Sequence, residues 1–122
     1  AKGGRANLSH AHMDAGSFVL EAEGVRWVED LGMQEYQTLE SRGVRLWDMG
    51  QDSERWRVLR LGPFAHSTLT LDGRLHRVDG AARVVRFTAE PATDQPHAEL
   101  DLAPALGAGV TSAWRAFRLG PG

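Results

Sequence analysis

Residues 17–30 read Ser17-Phe18-Val19-Leu20-Glu21-Ala22-Glu23-Gly24-Val25-Arg26-Trp27-Val28-Glu29-Asp30. Apolar and polar side chains alternate on both sides of Glu23-Gly24. A two-residue connection ending in glycine between alternating runs is a hairpin signal. With that connection Ala22 faces Val25, Glu21 faces Arg26, Leu20 faces Trp27 and Ser17 faces Asp30. One face then gathers Phe18, Leu20, Ala22, Val25 and Trp27 as a candidate core. The other carries Glu21 opposite Arg26, a cross-strand pair that adds up to ~1 kcal/mol. Register and patterning agree, so the segment reads as two antiparallel strands. Asp30 falls at the open end, close to the segment just after His12. Gly16 is a candidate bulge there.

The same reading extends outward. Asp72-Gly73 is the strongest turn signal in the chain, flanked by His66–Leu71 and Arg74–Val78. It sets Leu71 opposite Arg74 and Leu69 opposite His76. Trp56–Leu61 alternates as a strand does, and Gly62-Pro63 ends it. Val44–Met49 is a candidate short strand. Met33–Arg42 reads as a loop with one helical turn. Further strands are expected within Ala81–Ala89, Glu99–Leu102 and Val110–Leu119. Residues 90–97, with two prolines, read as a loop, and Gly120-Pro121-Gly122 closes the chain. Many short strands and few helices predict an all-β fold: an antiparallel β-sandwich fragment with long loops.

The chain has 122 residues, enough for a single domain over 1–122. Fourteen basic residues against sixteen acidic ones give a net charge of −2, which offers no electrostatic footprint for nucleic acid. No apolar run approaches the roughly 18 residues of a membrane span. The absence of cysteine rules out disulfides and thiolate sites. The opening Ala1-Lys2-Gly3-Gly4 has the look of the interior of a longer protein.

Chemistry concentrates at Ser9-His10-Ala11-His12-Met13-Asp14-Ala15-Gly16-Ser17-Phe18. On extended backbone, residues i and i+2 share a face, so His10 and His12 reach one volume. Imidazole is both a common zinc ligand and a proton carrier near neutral pH. Asp14, in a tight Asp-Ala-Gly run, reads as a turn cap. His66 follows a Gly-Pro break at the start of a strand, a usual place for a site. His76 reads as a plain strand residue and His97 as a solvated loop residue. Asp30 reads either as a ligand or as a cap before Gly32.

These residues resemble the heparinase II/III-like polysaccharide lyases. The likeness runs in order from Lys2-Gly3-Gly4 through the paired histidines and Asp14-Ala15-Gly16-Ser17-Phe18. It continues in Gly24-Val25-Arg26-Trp27, Asp30-Leu31-Gly32 and Tyr36, and ends in Ala65-His66-Ser67-Thr68-Leu69 with Asp72-Gly73. It covers about residues 2 to 78. Ser67 departs from the asparagine usual after the distant histidine.

The resemblance implies the first part of a C-terminal β-sandwich, preceded in the whole enzyme by a helical toroid. It implies a zinc ion held by His12, Asp30 and His66, with His10 facing the substrate cleft as a catalytic residue. It further implies an anionic, uronic-acid polysaccharide substrate cleaved by β-elimination, and a bacterial periplasmic or secreted setting. Tyr36 is left in the sandwich pattern rather than assigned as a base. A cut sandwich leaves strand edges open, which predicts a homo-oligomer. Two other readings stay open: a non-catalytic, metal-stabilised carbohydrate-binding or structural module, and an iron oxygenase using two histidines and a carboxylate.

Overall fold

The computed structural model describes residues 1–89 and 96–120. Its strands are β1 (Leu20–Ala22), β2 (Val25–Val28), β3 (Arg83–Thr88), β4 (His97–Asp101) and β5 (Trp114–Arg118). Its helices, α1 (Tyr36–Glu40) and α2 (Ala103–Leu106), have five and four residues. Short 3-10 turns occupy Glu54–Arg57 and Pro63–Ala65. β1 and β2 form one antiparallel pair; β3, β4 and β5 form a second antiparallel sheet with β4 central. The fold class is all-β, as alternation and turn chemistry predict. Among the described residues no helix is long and apolar enough to cross a membrane.

The first hairpin forms where expected. Glu23 and Gly24 both have positive φ, 53° and 74°, the backbone that matches strand twist in a two-residue turn. Ala22 opposes Val25 and Glu21 opposes Arg26, whose Nη2 donates to Glu21 Oε2 at 3.0 Å. A bulge between Leu20 and Glu21 then sets Leu20 against Val28 instead of Trp27. The pairing stops there, so Ser17 does not face Asp30. Ser17 O accepts instead from the Lys2 N–H at 2.8 Å. The expected core face is also corrected: Leu20, Ala22, Val25 and Trp27 are exposed, Trp27 by 66 %.

Asp72-Gly73 likewise turns with positive φ at both residues, and the Arg74 N–H donates to Leu71 O at 2.9 Å. Its flanks are not strands. His76 places its ring Nε2–H on Leu69 O at 2.8 Å, so a side chain takes the position of a ladder bond. Trp56–Leu61 is corrected from strand to the end of the 3-10 turn at Glu54–Arg57 and the turns that follow it. Ser53 Oγ accepts the Arg55 N–H at 3.2 Å and starts a helical turn, and burial of Trp56 and Leu61 holds it. Val44–Met49 is not a strand, because Arg45 gives its N–H to Glu54 Oε1 at 2.7 Å. His97, expected to be solvated, opens β4 between Thr88 and Arg118 and is buried. The proline loop at 90–97 falls mostly outside the described residues, as do Pro121 and Gly122.

The core lies beneath loops and short helices. One cluster joins Ala15, Ala82, Leu100, Leu102 and Ala105; a second joins Ala6, Met13 and Trp56; a third joins Leu39, Leu46 and Leu61. The entering segment, residues 1–17, links them. Gly4 and Ala82 exchange backbone bonds at 2.9 and 2.8 Å, the Asn7 N–H reaches Val78 O at 3.0 Å, and the Met13 N–H reaches Leu61 O at 2.9 Å. At Gly80 a Cβ would stand 1.9 Å from Pro104 O, so only glycine lets α2 lie against this turn.

Candidate metal centre

Met13 decides where the site is. Its side chain is fully buried against Ala6 and Trp56, and its backbone is tied to Leu61. In extended chain the residues on either side of a buried one turn the other way. His12 and Asp14 are therefore placed together on the outer side, both half-buried. The i, i+2 relation holds between His12 and Asp14. It does not hold between His10 and His12, because His10 has φ 62° and the extended run breaks there.

Asp30 follows β2 and does two things. Its Oδ1 accepts the Gly32 N–H at 2.8 Å, closing a turn in which Gly32 has φ 65°. Its Oδ2 stands 2.7 Å from His66 Nδ1. Burial works to raise the Asp30 carboxyl, but the hydrogen bonds from His66 and Gly32 outweigh it and hold the group below its ordinary pKa. His66 follows the 3-10 turn at Pro63–Ala65 rather than opening a strand, and its ring is buried. Its Nε2 lies 3.1 Å from Arg60 O, while Arg60 Nη1 donates to Leu31 O and Met33 O at 2.9 and 3.2 Å. Arg60 thus pins the loop after Asp30 to the backbone beside His66.

The rings of His12 and His66 are 5.4 Å apart. The three donors whose ligand atoms all lie within 4.8 Å of one another are His12, Asp14 and His66; Asp30 meets this group through His66. Two imidazoles with carboxylate oxygen form a donor set that fits a zinc ion. Burial, the first cause, lowers the His12 pKa, helped by His66, Arg55 and Lys2 and opposed by Asp14. That keeps the ring in the neutral form a metal requires.

His10 stands outside the metal group. Its exposed ring stacks on Tyr36 at 5.8 Å with a 3° interplanar angle and meets Trp47 edge-on at 5.3 Å. Trp47 is fixed in turn by Nε1–H on Glu40 Oε1 at 3.0 Å. Sequence reading left Tyr36 and Trp47 out of the site. Between the two histidines, Ala11 O accepts from Arg55 Nη2 at 2.7 Å, and Leu46 O accepts from Nη1 at 2.7 Å. Arg55 is fully buried and escaped notice because nothing local marks an arginine as internal.

The departure at Ser67 has a structural account. Its hydroxyl donates to Phe18 O at 2.7 Å, and the Phe18 N–H donates to Ser67 Oγ at 3.4 Å. Arg115 on β5 donates to Ser67 O and Gly16 O at 2.6 and 3.1 Å, with its guanidinium over both the Phe18 and Phe117 rings, which touch each other. The segment after His66 is thereby locked to the segment after Asp14.

His76, 2 % exposed, supplies a pH test. Burial holds its pKa below 6.5, aided by His66 and opposed by the Leu69 carbonyl and by Asp14. The folded ring takes a proton less readily than the unfolded one, so its contribution is complete above about pH 6.5 and is lost as pH falls below it. The melting temperature of metal-stripped protein is expected to drop from pH 7 to pH 5. His76→Gln, which keeps a donor for Leu69 O, is expected to flatten that drop. An unchanged slope would reject the assignment.

A family model described as heparinase II/III-like, C-terminal, matches residues 1–115. No curated protein matches the chain.

Proposed function

Because the chain belongs to the heparinase II/III-like family through its C-terminal domain, we propose that it is the metal-bearing part of a polysaccharide lyase acting on uronic-acid polymers. The observation that supports this reading is the meeting, inside the matched region, of His12, Asp14 and His66, with Asp30 joined to the group through His66. Asp30 touches His66 at 2.7 Å, and the His12 ring lies 5.4 Å from that of His66. A zinc ion on these residues ties the entering segment, the loop after β2 and the segment after the second 3-10 turn into one unit.

The reaction is β-elimination. A base takes the proton at C5 of the uronate, the C4–O bond breaks, a C4=C5 double bond forms, and the departing oxygen gains a proton. Neutralising the uronate carboxylate stabilises the charge that develops at C5. His10 is the group in this chain suited to move one of those protons, because its ring is exposed and oriented by Tyr36 and Trp47. A further helical domain of the same protein is proposed to supply the other half of the cleft. Exposed apolar side chains such as Val19, Trp27 and Phe87 leave surface for that domain or for a second copy.

The test is to incubate the full-length protein with heparin-like chains, alginate and other uronic-acid polymers and follow ultraviolet absorbance of the unsaturated product. Absorbance is expected to rise with at least one of them. A zinc-loaded, folded protein that produces none would refute the lyase reading.

A further inference from the structure

We propose that Trp47 is a sugar-stacking residue, whose exposed indole seats one pyranose ring of an acidic polysaccharide beside His10. The acidic class of the sugar rests on the lyase reading above. The stacking site itself rests on the ring cluster around Trp47.

Three exposed tryptophans, Trp27, Trp47 and Trp114, occur among the described residues. Trp47, 53 % exposed, is the one of them held in a cluster of rings. It meets His10 at 5.3 Å and Tyr36 at 5.6 Å, perpendicular to both within 3°. Its Nε1–H donates to Glu40 Oε1 at 3.0 Å. The residue before it, Leu46, is buried, and Leu46 O accepts from the internal guanidinium of Arg55 at 2.7 Å. Ring, ring nitrogen and adjoining backbone are all fixed, while much of the side chain stays in water. Fixing a large apolar ring costs conformational entropy, and its exposed part returns nothing to the fold. A ligand gains from the same arrangement, because a preorganised face loses little freedom on binding.

The border of the indole selects the ligand. An aromatic plane takes the C–H face of a pyranose by burial of apolar surface. Hydroxyls at the rim of that sugar then need polar partners. The Glu40 carboxylate, the His10 imidazole and the Tyr36 ring with its phenol surround Trp47. A purely apolar ligand would strip water from those groups and replace none of it. A sugar on Trp47 also lies next to His10, the proton-transfer group of the proposed reaction.

The experiment is calorimetric titration of the full-length, zinc-loaded protein with tetrasaccharides prepared from heparin and from alginate. His10→Ala is carried in every protein titrated, so that the sugar survives the measurement. Trp47→Ala is expected to weaken binding about tenfold, the scale of one aromatic-face contact. Trp47→Phe, which keeps a smaller ring, is expected to lose about threefold and keeps the test open if Trp47→Ala does not fold. Bound zinc is expected to be unchanged in both. Trp114→Ala, an equally exposed tryptophan on β5, is expected to bind as its parent does. Parental affinity in Trp47→Ala, an equal loss in Trp114→Ala, or no binding of either tetrasaccharide to the parent would each overturn the stacking role. A lyase whose product still forms under those outcomes keeps the lyase reading. Binding that depends on Trp47 in a protein that forms no unsaturated product overturns that reading and keeps the sugar site.

Discussion

On the lyase reading proposed above, His10→Ala is expected to lower turnover by ~10²–10⁴, the range for losing a positioned proton-transfer group. Bound zinc and melting temperature should stay near wild type. The ring is exposed, touches Tyr36 and Trp47, and belongs to no metal-donor group among the described residues. Aromatic contacts of this kind contribute about 1 kcal/mol. His66→Ala is expected to do the reverse to the fold. It removes a donor and leaves Asp30 Oδ2 and Arg60 O without their partner. Zinc content should fall towards zero, and stability with it, because metal affinity at such a site is folding free energy. The two variants should be compared by metal analysis and thermal melting under identical conditions. Equal zinc in both would end the assignment of His66 as a ligand.

Arg55→Met is expected to be the most damaging change to stability away from the metal. The guanidinium is fully buried, and its two bonds of 2.7 Å hold the carbonyls of Leu46 and Ala11. Methionine fills much of the volume but donates nothing, so two largely enclosed carbonyls lose their partner at about 1–3 kcal/mol each. A total near 3 kcal/mol corresponds to a fall in melting temperature of roughly 10 °C for a domain of this size. The damage should also reach the site, because Ala11 separates His10 from His12 and its carbonyl anchors that segment. Zinc affinity is therefore expected to weaken although Arg55 touches no metal. Arg55→Lys should rescue little, since one ammonium cannot reproduce the planar fork that spans both carbonyls. A melting temperature within a few degrees of wild type for Arg55→Met would remove Arg55 from this role.

Short-range chemistry in the sequence by itself determined the all-β class, the two turns at Glu23-Gly24 and Asp72-Gly73, and the helical turn within Met33–Arg42. Those features depend on two to six neighbouring residues, whose backbone preferences act whatever surrounds them. The motif residues were legible too: His10, His12, Asp30 and His66 stand out by type and order, and Asp30 and His66 do meet. Tertiary structure alone decided the rest. Alternation in Trp56–Leu61 suits a strand as well as a turn, and only the cap at Ser53 with burial of Trp56 selects the turn. The apolar hairpin face is exposed because the apolar clusters form beneath the loops. By sequence Asp14 is a turn cap, yet its place beside His12 depends on which way Met13 points. That direction follows from a pocket built by Ala6 and Trp56, residues distant in the chain from one another. Local rules state which side chains can share a face; burial of a neighbour against remote residues chooses the face they share.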